Sequence, residues 1–278
     1  MKYRELLQEG AEQLKKAAIA DADVDAAYLL EYVCGIDRTH YLLCMTETVP
    51  PQMAARYEEA IALRATHQPL QYITGEQEFM GLPFQVSPEV LIPRQDTETL
   101  VEQTQRVLKD NDRILDMCTG SGCILISLLH ENKTCQGMGV DIADTSIALA
   151  RENAKKNDVQ AEWLVSDLFS DVHGVFDVIV SNPPYIATAV LQELMPEVIE
   201  HEPQRALDGH EDGLYFYRQI IADAPSYLKP GGWILFEIGY DQGESVPALL
   251  TEAGFTEITV IKDYNGNDRV VRARLHDL

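Results

Sequence analysis

Five short apolar runs with strand character recur along this chain from residue 113 onward: Arg113–Met117, Gln136–Val140, Ala161–Val165, Val175–Val180 and Trp233–Ile238. Helix-forming segments, among them Ile124–Glu131 and Ser146–Asn157, lie between most of them. Strands separated by helices pair in parallel, and the crossing helices cover both faces of the sheet. The alternation therefore predicts an α/β fold with a mostly parallel sheet over residues 94–278, opened by a helix over Thr97–Lys109. The rhythm breaks near the end. Glu257–Lys262 and Arg269–Leu275 read as strands joined by Asp263-Tyr264-Asn265-Gly266-Asn267-Asp268, whose Asn-Gly pair is a hairpin turn signal. An antiparallel hairpin is expected on the sheet edge.

The first part of the chain has another period. Leu6, Leu7, Ala11, Leu14 and Ala18 recur at helical spacing, Val24 to Tyr32 repeats the pattern before Cys34-Gly35, and Met53 to Ala65 follows Pro50-Pro51. Residues 1–70 are expected to form a small helical domain with its own core. Between the two regions, residues 71–93 contain Phe79-Met80-Gly81-Leu82-Pro83-Phe84, a turn between β-like runs, and read as a hairpin linker. At 278 residues the chain has room for two such domains.

The formal net charge is −23. A polynucleotide binder needs cations to displace phosphate counterions, so this balance argues against direct contact with nucleic acid. No apolar run approaches the ~20 residues that span a bilayer, and Met1-Lys2-Tyr3-Arg4-Glu5 opens no signal-peptide core. A cytoplasmic monomer with no membrane contact is expected. The five cysteines, Cys34, Cys44, Cys118, Cys123 and Cys135, are too irregular for a disulfide framework and read as small buried thiols. His173, His201 and His210 show no ligand spacing, so no metal is expected.

In an open α/β sheet, ligands bind beyond the carboxyl ends of the strands. The first of the five runs ends in Asp116-Met117-Cys118-Thr119-Gly120-Ser121-Gly122. The glycines let the backbone approach a ligand, but Leu125 stands where a dinucleotide fingerprint needs its third glycine. Asp116 would repel a phosphate and suits an amine. The second run ends at Asp141, placed to accept from ribose hydroxyls. The third ends at Asp167-Leu168, where the carboxylate can accept from an adenine amine and the leucine can lie against the ring. Each aspartate alone reads as a helix N-cap. Three acids after three successive strands, beside a glycine loop, point to a nucleoside with an amino-acid-like tail and no phosphate, which S-adenosylmethionine fits.

The fourth run ends in Asn182-Pro183-Pro184-Tyr185. Asn supplies a carbonyl acceptor, the prolines stiffen the backbone and remove its N–H donors, and Tyr supplies a flat aromatic face. Such a set can hold a planar group with two N–H bonds, a carboxamide or the exocyclic amine of a base.

Taken together, the Asp-x-x-x-Gly-x-Gly loop, the strand-end Asp141 and Asn-Pro-Pro-Tyr resemble class I methyltransferases that act on planar nitrogen. The last motif is shared by adenine-N6 DNA methyltransferases and protein glutamine-N5 methyltransferases. The rest of the chain resembles only the second family: Gln71-Tyr72-Ile73-Thr74-Gly75, Glu78-Phe79, Ile92-Pro93-Arg94-Gln95-Asp96-Thr97-Glu98, Glu202-Pro203, Asp212-Gly213-Leu214, Tyr217-Arg218 and Asp268-Arg269-Val270-Val271. The resemblance implies a Rossmann-like catalytic domain, a helical substrate-docking domain, S-adenosyl-L-methionine as donor with S-adenosyl-L-homocysteine as product, and the glutamine of the Gly-Gly-Gln motif of class 1 peptide chain release factors as substrate. It implies cofactor contacts at Asp116, Cys118, Thr119, Gly120, Ser121, Gly122, Asp141, Asp167, Leu168 and Asn182. Substrate contacts are implied at Asn182, Pro183, Pro184 and Tyr185, with Phe79 and Arg94 bordering the entry and Glu197 a weaker candidate. In this reading Asn182 and the Pro183 carbonyl accept the amide hydrogens, and Tyr185 stacks on the amide plane. A nucleic-acid amine methyltransferase is the alternative. Two positions depart from the family, Cys118 where it has Gly and Gln95 where it has Pro; Cys118 is small, and its backbone can contact the cofactor on the condition that φ there is negative.

Overall fold

The apolar spacing of the first 75 residues yields five helices in the computed structural model, which describes residues 1–276. They are α1 (Tyr3–Lys16), α2 (Ala22–Cys34), α3 (Arg38–Cys44), α4 (Pro51–Arg64) and α5 (Leu70–Thr74). Leu6, Leu14, Leu29, Leu30, Tyr57 and Ile61 are fully buried against one another in a core of their own. One buried cation crosses that core's edge: Arg64 pairs with Asp25 at 2.8 Å and with Glu197 at 3.1 Å. Glu197 lies in α9 (Pro196–His201), and the whole segment Met195–His201 belongs to this helical unit. No feature of the sequence signalled that excursion.

The second unit comprises Glu76–Leu194 and the chain from Glu202 onward. It opens with an antiparallel hairpin, β1 (Glu76–Phe79) and β2 (Leu82–Gln85), turning at Met80-Gly81. Its main sheet has seven strands: β3 (Arg113–Met117), β4 (Gln136–Asp141), β5 (Glu162–Val165), β6 (Phe176–Ser181), β7 (Leu228–Glu237), β8 (Phe255–Lys262) and β9 (Asp268–Leu275). Their spatial order is β5-β4-β3-β6-β7-β9-β8. The first five strands of this sheet pair in parallel, and β9 runs antiparallel to both β7 and β8. This is the mostly parallel α/β sheet with a C-terminal antiparallel hairpin that the pattern predicts.

Both faces of the sheet are covered, so the central strands are apolar on both sides. One face carries α10 (Tyr215–Tyr227) and α11 (Ser245–Glu252), with Tyr217, Ile220 and Val246 packed on Leu115, Ile179 and Phe236. The other carries α6 (Glu98–Gln105), α7 (Cys123–Glu131) and α8 (Asp144–Lys156), with Leu100, Val101, Ile124, Leu128 and Ala154 in one core with Ile114, Val178 and Leu235. Two element boundaries differ from expectation. The helix predicted over Thr97–Lys109 is confined to α6, because Val107 and Leu108 turn back and pack into the core instead of continuing outward. β7 begins at Leu228, five residues ahead of Trp233, because Leu228 pairs with Phe176 before a register shift through Lys229-Pro230-Gly231-Gly232.

The order of the strands positions the site. From β3 the chain winds outward through β4 to β5, then returns to β6 on the other side of β3. The point where the winding reverses opens a crevice between the carboxyl ends of β3 and β6.

Candidate active site

A cavity of about 450 Å³ lies at these carboxyl ends, within the larger unit. Its walls include Arg94, Cys118, Gly120, Asp141, Asp167 and Asn182. The loop after β3 is fixed by its own backbone. Thr119 N–H donates to the Val140 carbonyl at 2.9 Å, and Gly122 N–H to the Thr119 carbonyl at 2.9 Å. Gly122 precedes α7 with φ +79°, and a Cβ there would stand 2.9 Å from the Trp163 ring. That combination leaves room for glycine alone.

Asp141, at the end of β4, is held by two backbone donors: Gly120 N–H reaches Oδ2 at 2.9 Å and Ala143 N–H reaches Oδ1 at 3.0 Å. Each oxygen keeps a lone pair for a further donor. Asp167 is exposed at the cavity, and Leu168 beside it is half-buried, with its carbonyl accepting from Ser166 Oγ at 3.0 Å.

Asp116 departs from the contact predicted for it. Its side chain is fully buried beneath the loop and does not line the cavity, because Thr119 stands between. The Thr119 hydroxyl donates to Oδ2 at 2.6 Å, while Oδ1 has no hydrogen-bond partner among the described residues. Burial pushes this carboxyl up to about 7, and the neighbouring Asp141 adds to the rise. Cys118 does not meet the condition of a negative φ: its φ is +62°. The left-handed region strains any residue with a Cβ, which is the physical reason a glycine suits this position.

At the end of β6, Ser181 Oγ donates to the Met117 carbonyl at 2.6 Å and ties this strand end to that of β3. Asn182 follows at the cavity wall. Its Nδ2 donates to Thr97 Oγ1 at 3.3 Å, so its Oδ1 is the end left for another partner. Pro184 also lines the cavity, whereas Pro183 is buried and Tyr185 is turned inward. The Tyr185 ring packs on the sheet core, and its hydroxyl donates to Glu237 Oε1 at 3.2 Å. The aromatic face predicted for stacking is thus not presented to the cavity, because the hydroxyl finds its acceptor in the interior. Burial and the adjacent Glu237 charge both push the Tyr185 phenol up.

The loop beyond Tyr185 is laced to a second segment. Ile186 N–H donates to the Leu207 carbonyl at 3.0 Å, Gly209 N–H to the Ile186 carbonyl at 2.8 Å, and Gln242 Nε2 to the Tyr185 carbonyl at 3.1 Å. Arg94 lines the cavity and pairs with the buried Glu202, which also faces Ile92 N–H. Phe79, predicted to border the entry, is instead a core residue: it is 1% exposed and meets Phe84 edge to face. Glu197 lies in the helical unit, bound to Arg64 and, at 3.3 Å, to His67.

Sequence reasoning passed over Thr97, Ile142, Arg205, Glu237 and Gln242. Ile142 is an exposed apolar residue directly after Asp141 on the cavity wall. Glu237 carried the same signal as Asp141, an acid ending an apolar strand.

A parallel α/β sheet with a glycine loop, strand-end acids and Asn-Pro-Pro-Tyr around one cavity has the architecture of a class I methyltransferase. The fold matches solved members, among them a 16S rRNA methyltransferase from T. thermophilus in complex with AdoMet and guanosine, at a TM-score of 0.53 and 19% identity over 72% of this chain and 50% of that one. Residues 5–75 match the family described as PrmC N-terminal domain, and residues 95–209 that described as methyltransferase small domain. A release factor glutamine methyltransferase from Geobacter sulfurreducens is 42% identical over 94% of this chain and 93% of that protein. One from Cereibacter sphaeroides is 40% identical over 99% of each. The chain belongs to the release factor glutamine methyltransferase family. Among the described residues, no helix is long and apolar enough to cross a membrane.

Proposed function

We propose that this chain transfers a methyl group from S-adenosyl-L-methionine to the side-chain amide nitrogen of the Gly-Gly-Gln glutamine in class 1 peptide chain release factors. The observation that best supports this reading is the polarity of Asn182: with Nδ2 engaged by Thr97, Oδ1 is the acceptor offered to an incoming N–H. An amide nitrogen is a poor nucleophile because its lone pair is delocalised into the carbonyl. The sulfonium supplies a strong electrophile when the cofactor is bound, and what is asked of the protein is orientation and charge stabilisation.

In this proposal Asn182 Oδ1 and the Pro183 carbonyl accept the two amide hydrogens and favour the positive charge that develops on nitrogen. Pro184 lacks an N–H and adds no competing donor. Tyr185 supports the motif from behind, through its bonds to Glu237 and Gln242. Asp141 receives ribose hydroxyls, Asp167 the adenine amine, and Leu168 with Ile142 the faces of the ring. Cys118, Thr119, Gly120, Ser121 and Gly122 shape the backbone around the amino-acid tail. Asp116 acts on the ammonium from beneath the loop by its field.

The helical unit is proposed as the docking surface for the protein substrate. Between α1 and α2 it carries a groove of about 710 Å³ walled by Leu7, Ala11, Val24, Ala27 and Tyr28. Tyr28→Asp should raise KM for release factor and leave AdoMet affinity unchanged. The chemical assignment is tested with labelled AdoMet and either release factor or duplex DNA. Label on release factor, lost by about 10²–10³ in kcat for Asn182→Ala, is the expected result. Label on DNA alone, or an unchanged Asn182→Ala, would overturn it.

A further inference from the structure

His210 shares the cavity wall with Asn182, Pro184 and Phe216. The loop that carries it is pressed on the motif. A Cβ at Gly209 would stand 2.8 Å from the Tyr185 Cα, and one at Gly213 would collide with the Tyr185 carbonyl oxygen. Ile186 and Asp208 form a parallel bridge, Thr188 N–H donates to the His210 carbonyl at 2.9 Å, and His210 N–H donates to Asp208 Oδ1 at 2.9 Å. The Thr188 hydroxyl reaches the same Oδ1 at 2.7 Å. These bonds hold His210 at φ +68°, a left-handed conformation that strains a residue with a Cβ and suits glycine. The side chain is exposed. Its ring centroid lies 4.3 Å from that of Tyr215, at an interplanar angle of 60°, and 5.6 Å from that of Phe216, at 39°. Tyr215 and Phe216 open α10 and meet edge to face at 5.2 Å. An exposed ring buries little apolar area, so packing gives no reason to keep a side chain on this strained backbone.

The strand order says which ligand the ring meets. Asp141 and Asp167 stand at the ends of β4 and β5, on one side of β3, and Asn182 follows β6 on the other side. His210 is laced to Ile186 and Thr188, just beyond the motif, so it belongs to the end that receives the target amide and not to the adenosine end. We infer that His210 is a substrate-binding residue whose ring, backed by Tyr215 and Phe216, packs on the peptide plane next to the target glutamine. It supplies the aromatic face that Tyr185, turned inward, does not. In a Gly-Gly-Gln segment the peptide planes before the glutamine carry no side chain, so they lie flat against a ring and aim N–H bonds at its π face. The inference rests on the proposed release factor substrate.

Three variants separate ring from backbone: His210→Ala, His210→Gly and His210→Phe, each in steady-state methylation of release factor, with AdoMet affinity by titration calorimetry. Loss of the ring should raise KM for release factor by about three- to tenfold in both the Ala and the Gly variant, the range of one aromatic contact. Their kcat and AdoMet Kd should stay within about twofold of wild type, because the contact serves substrate binding and not the transfer step. His210→Phe keeps the flat face and should hold KM within about twofold. His210→Gly relieves the left-handed backbone and should raise the urea midpoint, so its higher KM has no origin in misfolding. A KM within about twofold of wild type in both the Ala and the Gly variant would overturn the inference while the release factor reading stands. So would a His210→Phe loss as large as that of His210→Ala, or AdoMet binding that weakens in proportion to activity. Wild-type enzyme that leaves release factor unlabelled sinks the functional reading itself and the peptide contact with it, an outcome read before any variant is compared.

Discussion

Asp116 makes a quantitative prediction about pH. An exposed aspartate titrates near 3.8, whereas this one is held to about 7, chiefly because burial penalises its charge. The Thr119 hydroxyl and the Leu125 N–H in the first turn of α7 favour the charge but do not offset the burial. At about 1.36 kcal/mol per pH unit, that displacement amounts to roughly 4 kcal/mol between the two protonation states. The sign follows from the proton count. Between about pH 4 and pH 7 the native state keeps a proton that the unfolded chain has released, so this group's contribution is complete at low pH and is lost as pH rises through the window. Asp116→Asn removes the dependence. The difference in stability between variant and wild type, from urea unfolding, should therefore grow with pH from about 4 and level off above about 7, favouring the variant by up to roughly 4 kcal/mol. AdoMet provides a second check: its ammonium favours the charged carboxyl, so wild-type affinity should rise from about pH 5 to about pH 7, and the variant should bind more weakly with a flatter profile. A stability difference that is flat in pH would refute the argument that burial governs this group.

Three further outcomes follow from local geometry. Cys118→Gly relieves the left-handed backbone at φ +62° and should stabilise the protein by about 0.5–1 kcal/mol in urea unfolding, net of glycine's entropy; destabilisation beyond 1 kcal/mol would mean that its thiol packing dominates. Gly209→Ala places a Cβ 2.8 Å from the Cα atoms of both Tyr185 and Gly213, neither of which can swing aside. Turnover should fall by about tenfold or more while AdoMet affinity holds, because the displaced loop carries the motif. Arg64→Ala strands the buried Asp25 and should cost the helical unit about 3–5 kcal/mol, read as faster hydrogen exchange in α2 and α4.

Periodicity and turn chemistry made the secondary structure legible. Leu6, Leu14 and Ile61 at helical spacing, the apolar runs that became β3 to β7, and the Asn265-Gly266 turn each record a local preference that the chain realises. Where the pattern misled, a tertiary contact overrode it: Val107 and Leu108 bend into the core, and Leu228 joins β7 early to pair with Phe176. Side-chain direction was less visible. Tyr185 read as an aromatic face for the substrate and Phe79 as a border of its entry, yet both point inward, because the face a ring presents depends on neighbours that are distant in sequence.

From the sequence alone came the chemical inventory: an α/β sheet, acids at successive strand ends, a glycine loop, and a motif able to accept two N–H bonds. Those follow from residue type and spacing, which are local. The tertiary structure decided how the inventory is assembled. The reversal of winding brings the end of β6 beside the end of β3, so that Ser181 bonds to Met117 and Asn182 shares a cavity with the glycine loop. Closure of β9 on β7 brings Arg269 to Glu237, and Asn182 meets Thr97 from a different segment. Pairings between strands and helices far apart in the chain are set by packing of the whole sheet, and no local pattern encodes which end of an amide will face the cavity.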